Sequence, residues 1–457
     1  MDRYDFVIIG AGGAGEAAAH EALRRKKSVA IVDRELFGGS CPFWACMPSK
    51  SLLHSAAVHA AGGDYPWAKA SDQRDYMINR VNREEPDDGG HVHSLQKAGA
   101  TVIRGDATIQ GPGRVGVRTT DGTLELTTDN IVVAVGSNSR IPSIEGLLEA
   151  APWTNREATS ARELPASLLV LGGGPTGVEL AQVYASYGVP VTIVEHGERL
   201  ISRDHPRNSA AVASGLKASG VTVKTGRSVT RIRPGAGPDG SHVAELDDGS
   251  QVTGHRVLLS VGRTYPLDDI GLEKVGIDPT NGDSLPRDGR LRLTDGLYLI
   301  GDAAGPEMHT HLAHYQGEMA VGMALGEPVR PDYRAIPRAT YTTPEVAFVG
   351  VTLDQAREAG LDAFEVVADL AKTAKGFVVE LAEGHVTIVV DRTKRTLIGA
   401  AIAGPGASEA IHEAVLAIKA EIPIGVLADT IHAFPTTARV LGSQFVEAAR
   451  RLESEAA

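Results

Sequence analysis

Both cysteines of this chain lie in one short stretch, GGSCPFWACMPSK, at residues 38–50. Cys41 and Cys46 are five positions apart, which on a regular helix would separate their Cα atoms by roughly 8 to 9 Å. A disulfide needs Cα atoms within about 7 Å, so the pair can bridge only across a distorted turn, which Pro42 is placed to create. So small a loop would also constrain the unfolded chain little. If the two thiols pair, we expect their role to be chemical rather than structural.

The composition of the 457-residue chain is that of a large globular protein. Hydrophobic residues make up 42% and charged residues 22% of it, and the length suggests about three domains. The formal net charge of −12 argues against nucleic acid or an anionic membrane surface as the main partner. No apolar run approaches the roughly 18 residues of a membrane span, and the acidic N-terminus does not resemble a secretory signal. With only two cysteines, these features predict a cytoplasmic protein in which a disulfide would be catalytic.

A first glycine-rich motif follows the apolar run FVIIG at residues 6–10, which predicts a buried strand, a tight turn and a helix. Gly10, Gly12 and Gly15 fit the pattern G-x-G-x-x-G of dinucleotide-binding folds. Its glycines allow a tight turn, close approach to a pyrophosphate, and packing of the helix on the strand. The next predicted strand, SVAIVD, ends at Asp33, 18 residues after Gly15. A carboxylate at that distance can accept hydrogen bonds from ribose hydroxyls.

The same arrangement occurs a second time in LLVLGGGPTGVELAQVYASYGVPVTIVEH. This segment carries Gly172, Gly174 and Gly177, with Glu195 again 18 residues after the third glycine. One copy would be weak evidence because ordinary tight turns use the same residues, but two complete copies indicate two dinucleotide sites. A nicotinamide and a flavin, with a cysteine pair beside the first site, would form a relay from hydride to flavin to disulfide.

With these motifs the sequence resembles the FAD-dependent pyridine nucleotide–disulfide oxidoreductases, the family of dihydrolipoyl dehydrogenase, glutathione reductase and mercuric reductase. The resemblance covers nearly the whole chain in family order. Besides the cysteine segment and the glycine motifs, it is carried by IVVAVGS (131–137), VLLSVGRTYPLDDIGLE (257–273), GLYLIGDAAG (296–305), ATYTTPEVAFVG (339–350) and LIGAAIAGPGASEAIHEAVLAIKAEI (397–422). It implies an α/β fold with two Rossmann-like dinucleotide-binding domains, for FAD and NAD(P), and an α+β C-terminal dimerisation domain.

The resemblance also implies a domain order and a quaternary structure. The FAD domain would comprise residues 1–150 and 266–333, the NAD(P) domain residues 151–265, and the interface domain residues 334–457. Each active site of the family is completed by the other subunit's segment equivalent to HAFPT. The chain is therefore expected to form a homodimer.

Individual roles follow from the resemblance as well. Cys46 would face the flavin, Cys41 would exchange with the substrate, and Lys50, paired with Glu179, would lie near flavin N5. The implied FAD contacts are Gly10, Gly12, Gly15, Asp33, Gly39, Ser40, Lys50, Ala107, Gly136, Asp302, which would hold the ribityl chain, and Thr310, which would begin a helix whose positive end faces flavin N1 and O2. The implied NAD contacts are Gly172, Gly174, Gly177, Glu195, Val229 and Gly262.

The residues around the cysteines support this chemistry independently. A thiolate just ahead of a helix start, where Pro48 fits the first turn, and near Lys50 should have a lowered pKa. Phe43 and Trp44 are predicted to pack in the core, although the family usually has smaller residues there. The stretch MHTHLAH at residues 308–314 matches the flavin helix better than a metal site, and no Cys and His spacing supports structural zinc, so no metal is expected.

The C-terminal segment departs from the family pattern. Disulfide reductases of this group usually carry a histidine immediately before a proline and a glutamate five residues later, which together act as an acid–base dyad. In HAFPTTARVLG these positions hold Phe434 and Arg439, and His432 remains two residues upstream.

Three functions are consistent with these observations. The first is an enzyme that prefers NADH, because Glu195 would repel a 2′-phosphate, and that passes electrons through FAD and the Cys41–Cys46 pair to a small-molecule acceptor. That acceptor would be a quinone, a thiophilic metal ion or an unusual thiol rather than lipoamide or glutathione. The second is a dihydrolipoyl dehydrogenase with a substituted base, such as His432. The third is a flavin-bound redox sensor with negligible turnover.

Overall fold

The computed structural model describes residues 2–279, 285 and 291–455. The strands, numbered in chain order, are β1 (Asp2–Ile9), β2 (Val29–Asp33), β3 (Thr101–Arg104), β4 (Asp106–Gly111), β5 (Arg114–Thr119), β6 (Gly122–Val133), β7 (Asn138–Ser139), β8 (Leu168–Leu171), β9 (Val191–Val194), β10 (Thr222–Lys224), β11 (Val229–Arg233), β12 (His242–Leu246), β13 (Gln251–Gly254), β14 (Arg256–Leu259), β15 (Arg263–Thr264), β16 (Arg292–Thr294), β17 (Leu297–Leu299), β18 (Arg338–Thr340), β19 (Val346–Gly350), β20 (Ala363–Asp369), β21 (His385–Asp391) and β22 (Thr396–Ala403). The α-helices are α1 (Gly13–Arg24), α2 (Ser40–Trp44), α3 (Cys46–Ala60), α4 (Trp67–Met77), α5 (Gly89–Ala98), α6 (Asn155–Ser160), α7 (Pro175–Ser186), α8 (Pro206–Ala218), α9 (Thr310–Ala324), α10 (Leu353–Glu358), α11 (Ala374–Val378), α12 (Ala407–Lys419), α13 (Ile424–Ala428) and α14 (Thr437–Ser454).

Two compact units share the chain. The first consists of Met1–Ser51, Ser71–Arg140 and Gly262–Asp332. The second consists of Leu52–Ala70, Ile141–Val261 and Tyr333–Ala457. The three domain boundaries inferred from the sequence stay a prediction.

The first unit contains a sheet whose central strands are parallel. Its strand order is β16-β17-β6-β1-β2-β3, with β5 joined to β6 and β4 joined to β5. Phe6, Val7 and Ile8 on β1 are fully buried, because a strand covered on both faces needs an unbroken apolar run. On α1, Ala18 and Ala22 are also fully buried. The helix packs closely against α9, where a Cβ on Gly317 would lie 2.5 Å from the carbonyl oxygen of Ala14.

The second unit repeats the parallel arrangement and adds antiparallel sheets. The strands β10-β9-β8-β14 form a parallel sheet whose strand β8, with the sequence LLVL, is buried along its length. A three-stranded sheet, β11-β12-β13, and a five-stranded sheet, β18-β19-β22-β21-β20, complete the unit, and α12 and α14 pack on the five-stranded sheet. The predicted α/β fold, with two Rossmann-like portions and an α+β C-terminal portion, is confirmed.

The two cysteines lie on either side of a break between two helices. Cys41 belongs to α2 and Cys46 begins α3, and the backbone leaves helical geometry at Ala45, with φ −129° and ψ −98°. The distorted turn is therefore present, but the expectation that Pro42 causes it is wrong. Pro42 is the third residue of α2, and a first helical turn accepts proline because its N–H groups have no partner within the helix.

Candidate active site

The cysteine segment is attached directly to the first glycine motif. The backbone N–H of Gly38 donates to the carbonyl oxygen of Ala11 at 2.8 Å. Gly39 has a φ of 69°, and a Cβ added there would lie 2.7 Å from the Cα of Gly12. Only glycine fits so close to another backbone. The helix that begins at Ser40 and carries Cys41 is therefore held beside the glycine loop.

The glycines of the first motif have two different surroundings. A Cβ on Gly10 would lie 2.3 Å from the carbonyl oxygen of Ala134, and one on Gly15 would lie 1.9 Å from that of Gly10. A Cβ on Gly12 would meet no atom beyond its chain neighbours closer than 3.8 Å, and a Cβ on Gly136 would meet none within 4 Å. The outer glycines thus permit packing, while Gly12 leaves its backbone accessible. This is the arrangement by which a pyrophosphate approaches such a loop.

The second motif has the same stereochemistry. A Cβ on Gly172 would lie 2.2 Å from the carbonyl oxygen of Ser260, and one on Gly177 would lie 2.3 Å from that of Gly172. A Cβ on Gly174 would meet nothing closer than the Ser260 hydroxyl oxygen at 3.8 Å. Both motifs therefore fit a dinucleotide.

The two carboxylates that follow the motifs accept hydrogen bonds from the backbone near the glycine loops. Asp33 Oδ2 accepts a hydrogen bond from the Ala11 N–H at 2.6 Å, and burial raises the pKa of this carboxyl. Glu195 accepts in the same way from the N–H groups of Gly173 and Gly197. A carboxylate has about four acceptor positions, so both side chains retain capacity for ribose hydroxyls.

Arg199 lies close to Glu195 in sequence and is a candidate partner for a 2′-phosphate. Its guanidinium donates instead to the carbonyl oxygens of Asp204, at 2.9 Å, and Ser202, and to the Ser209 hydroxyl. These bonds hold the side chain within its own segment. Arg203, by contrast, is exposed.

The two thiols have different electrostatic surroundings. Cys46 Sγ lies 3.4 Å from the Thr310 hydroxyl oxygen. The hydrogen bond from the Cys41 thiol, the Thr310 hydroxyl and the positive charge of Lys50 outweigh the effect of burial and lower the pKa of Cys46 to about 6. The same hydrogen bond and burial raise the pKa of Cys41. The reduced pair can therefore hold one thiolate, on Cys46, and one protonated thiol, on Cys41.

Asp302 belongs to a small polar cluster of the first unit. The Ser137 hydroxyl donates to Asp302 Oδ2, and Arg263 Nε lies 3.8 Å from the same oxygen. Arg263 also donates to the carbonyl oxygen of Ser137 at 2.6 Å. Ser137 and Arg263 lie within the motifs IVVAVGS and VLLSVGRTYPLDDIGLE, but the motifs themselves imply no role for either residue. Both residues follow apolar runs that predict strands, and this position is the sequence signal that could have identified them as site residues.

The remaining predicted site residues are distributed over both units. Ala107 lies on β4 opposite Val117. Lys50 lies on α3 in the first unit, and Gly262, also in the first unit, has a φ of 106° and open space where a Cβ would be. Val229 begins β11 of the second unit.

Glu179 is buried on α7, where its Oε1 accepts from the Tyr341 N–H at 2.9 Å. The pairing of Glu179 with Lys50 stays a prediction. Phe43 and Trp44 are buried with Ile78, so the prediction that they pack in the core is confirmed.

The C-terminal segment presents an aromatic side chain at the position where the family resemblance leads us to expect a histidine. Phe434 is 74% exposed, and Arg439 is exposed in the first turn of α14. The ring of His432 is buried, with Nε2 2.9 Å from Glu413 Oε1 and Nδ1 3.0 Å from the carbonyl oxygen of Thr430. His432 is thus engaged inside the C-terminal portion, on both of its nitrogens.

Across residues 2–279, 285 and 291–455, no three His, Cys, Asp or Glu side chains come together as metal ligands would. Within the same residues, every helix is too short or too polar to span a bilayer.

The chain matches two family descriptions. Residues 4–317 match "Pyridine nucleotide-disulphide oxidoreductase", and residues 336–444 match "Pyridine nucleotide-disulphide oxidoreductase, dimerisation domain". This family uses FAD and NAD(P)H, which fits the two glycine motifs, and the second match supports the expected homodimer.

Relatives and solved structures agree with that assignment. The chain is 32% identical to a dihydrolipoyl dehydrogenase of Rhizobium etli, over 99% of both proteins. It is 28% identical to a mercuric reductase of Staphylococcus aureus, over 96% of this chain and 81% of the relative. Its fold matches a Cu(II) complex of the HOCl-induced flavoprotein disulfide reductase RclA from Escherichia coli, with a TM-score of 0.87, 25% identity and coverage of 98% and 100%. It also matches LpdA from Mycobacterium tuberculosis, with a TM-score of 0.86, 27% identity and coverage of 99% and 100%. The chain belongs to the pyridine nucleotide–disulfide oxidoreductase family and is an FAD-dependent, NAD(P)H-dependent enzyme of that family.

Proposed function

We propose that this enzyme passes electrons from NADH through the Cys41–Cys46 pair to an acceptor other than lipoamide or glutathione disulfide. Thiophilic metal ions and quinones are the main candidates, and an unusual thiol is the third. The observation that carries the proposal is the identity of residues 434 and 439. Phe434 and Arg439 stand where disulfide reductases of the family have a histidine and a glutamate.

In this proposal the glycine loops and carboxylates bind the cofactors, and the two cysteines carry out the thiol chemistry. The loops at Gly12 and Gly174 would hold the pyrophosphates, and Asp33 and Glu195 would accept from the ribose hydroxyls. Bound FAD would supply hydride acceptance from NADH and two-electron transfer to the disulfide. Cys46 would stay as the thiolate, and Cys41 would carry the proton and meet the acceptor.

Reduction of a disulfide substrate also needs a positioned acid–base group. A thiolate must attack, and the departing sulfur must receive a proton. A positioned acid–base group typically contributes about 10²- to 10⁴-fold, or roughly 3 to 5 kcal/mol of barrier. A phenyl ring cannot exchange a proton, and the guanidinium of Arg439 cannot orient an imidazole as a carboxylate does. Disulfide substrates are therefore expected to turn over slowly.

Acceptors that take electrons without this proton relay would not be slowed by the lack of an acid–base group. Thiolates are soft ligands and suit copper or mercury ions. Two of the related proteins point the same way, since one is named mercuric reductase and the RclA structure is a Cu(II) complex. A quinone would take up two electrons and two protons, and solvent can supply the protons.

The test is a steady-state measurement of NADH oxidation with lipoamide, glutathione disulfide, quinones, Hg²⁺ and Cu²⁺. We expect lipoamide and glutathione disulfide turnover at least about a hundredfold below that of a family enzyme with the dyad. The double variant Phe434→His, Arg439→Glu should raise disulfide turnover, while flavin reduction by NADH stays fast in both proteins. Lipoamide reduction by the wild-type enzyme at hundreds of turnovers per second, on the order of a fast enzyme, would contradict the proposal.

A second candidate, dihydrolipoyl dehydrogenase, is favoured by the hydrogen bond between His432 and Glu413. This is a histidine–carboxylate pair, and several relatives carry that enzyme's name. It ranks second because the His432 ring is buried and both of its nitrogens are engaged. If His432 were the base, His432→Gln should abolish lipoamide turnover and leave flavin reduction by NADH unchanged.

A further inference from the structure

Thr310 is the first residue of α9 and lies in contact with the redox pair. Its hydroxyl oxygen is 3.4 Å from Cys46 Sγ, a normal distance for a hydrogen bond to sulfur. The two residues are 264 positions apart in sequence, so this contact exists only through the fold. The family resemblance implies only that Thr310 begins the flavin helix.

The orientation of the Thr310 side chain is set by its neighbours. Its methyl carbon Cγ2 lies 3.5 Å from the position that a Cβ on Gly13 would occupy, so the methyl group points toward the glycine loop. The hydroxyl then points to Cys46. A protonated thiol can donate or accept, whereas a thiolate can only accept. A hydroxyl that donates to sulfur therefore stabilises the thiolate form selectively.

We propose that the Thr310 hydroxyl donates a hydrogen bond to the Cys46 sulfur and stabilises the thiolate form of Cys46. Thr310 would act as a positioning residue for the thiolate. This inference deepens the proposed function and rests on it, because it takes Cys41 and Cys46 as the redox pair.

Other groups act on the same sulfur, and the test must separate them. The Cys41 thiol of α2 hydrogen-bonds to Cys46, and the Lys50 ammonium of α3 contributes a positive charge. On the α9 side, His309 is bonded to Glu307 at 2.8 Å and stacks on His311. Both rings flank Thr310 in sequence. None of these groups changes when only the Thr310 hydroxyl is removed.

The experiment uses the FAD-loaded protein carrying Cys41→Ser, which leaves one cysteine and keeps a hydroxyl donor at position 41. The pH midpoint of Cys46 ionisation is read from the thiolate-dependent long-wavelength absorbance band and from thiolate absorbance in the ultraviolet. Three forms are compared in this background: Thr310, Thr310→Ser and Thr310→Val. Valine replaces the hydroxyl by a methyl group of similar size, and serine keeps the hydroxyl while removing the methyl group.

We expect Thr310→Val to raise the midpoint by about one pH unit, which lowers the thiolate fraction about tenfold well below the midpoint. Thr310→Ser should keep the midpoint within a few tenths of a unit. An unchanged midpoint in the valine variant would overturn the proposal. An equal shift in both variants would also overturn it, since packing of the methyl group would then be the cause.

Two features keep the test decisive. If valine weakens FAD binding, the titration is run on all three forms with FAD in excess, and the FAD-loaded fraction is measured at each pH. The midpoint involves no acceptor and no nicotinamide. Failure of the proposed function would therefore appear in the acceptor screen, and failure of the Thr310 proposal would appear in the titration.

Discussion

Cys41 and Cys46 are neighbours with opposite shifts in pKa, and this asymmetry leads to a spectroscopic prediction. Two-electron reduction should produce a long-wavelength band from the Cys46 thiolate beside the flavin. The band should survive Cys41→Ser and vanish in Cys46→Ser, as followed by anaerobic titration with NADH or dithionite. The reverse pattern would exchange the roles of the two cysteines.

The same asymmetry sets the pH range of the band. The pKa of Cys46 is lowered from its ordinary value to about 6, so the thiolate persists at neutral pH and is lost only as the pH falls through about 6. The band should therefore be constant above about pH 7 and decrease below it. A midpoint near the ordinary cysteine value of about 8.5 would show that Cys46 is not stabilised as an anion.

At the scale of the element, two glycines at the start of α1 should respond differently to substitution by alanine, one through protein stability and the other through FAD binding. Gly15→Ala would place a methyl group 1.9 Å from a backbone carbonyl oxygen, so it should destabilise the protein by more than about 1 kcal/mol. Gly12→Ala meets only an ordinary contact at 3.8 Å and should fold normally but bind less FAD. Thermal unfolding and FAD content of the purified variants test both effects. A fully FAD-loaded Gly12→Ala protein would show that the loop does not hold the pyrophosphate.

Glu195, which follows β9, predicts whether the enzyme prefers NADH or NADPH. Glu195 should favour NADH, because its charge would lie near a 2′-phosphate, and Arg199 is held by bonds to its own segment. Glu195→Gln should raise the ratio of kcat/KM for NADPH over NADH by at least about tenfold. Arg203→Ala serves as the matched test of the exposed arginine and should leave that ratio nearly unchanged. A wild-type preference for NADPH would refute the role of Glu195.

At the scale of the whole molecule, the C-terminal portion carries large apolar side chains that a homodimer would cover. Ile431 is 98% exposed and Leu416 60% exposed, and both lie within the matched dimerisation domain. Ile431→Asp and Leu416→Asp should shift the protein toward monomer, because a charge in a buried interface is costly. Leu148→Asp is the control, since Leu148 is 69% exposed but outside that domain. Light scattering at micromolar concentration measures the result, and a wild-type monomer with full activity would contradict the dimer.

Local sequence patterns determined the main features of this protein. Each glycine motif encodes a strand, a turn and a helix within about thirty residues, so Gly10, Gly15, Gly172 and Gly177 could be placed without a structure. The steric surroundings of these glycines agree with their expected roles. That Phe434 and Arg439 replace the expected histidine and glutamate is a prediction from residue identity alone.

The tertiary structure alone decided which distant side chains meet. The contact of Thr310 with Cys46 and the bond of Ser137 to Asp302 depend on strand order, which places β17 beside β6 and β6 beside β1. No local periodicity encodes that order. The origin of the bend at Ala45 was likewise missed, because Pro42 is tolerated in a first helical turn. Sequence patterns specify the elements and their loops, whereas contacts between side chains hundreds of residues apart are specified by packing.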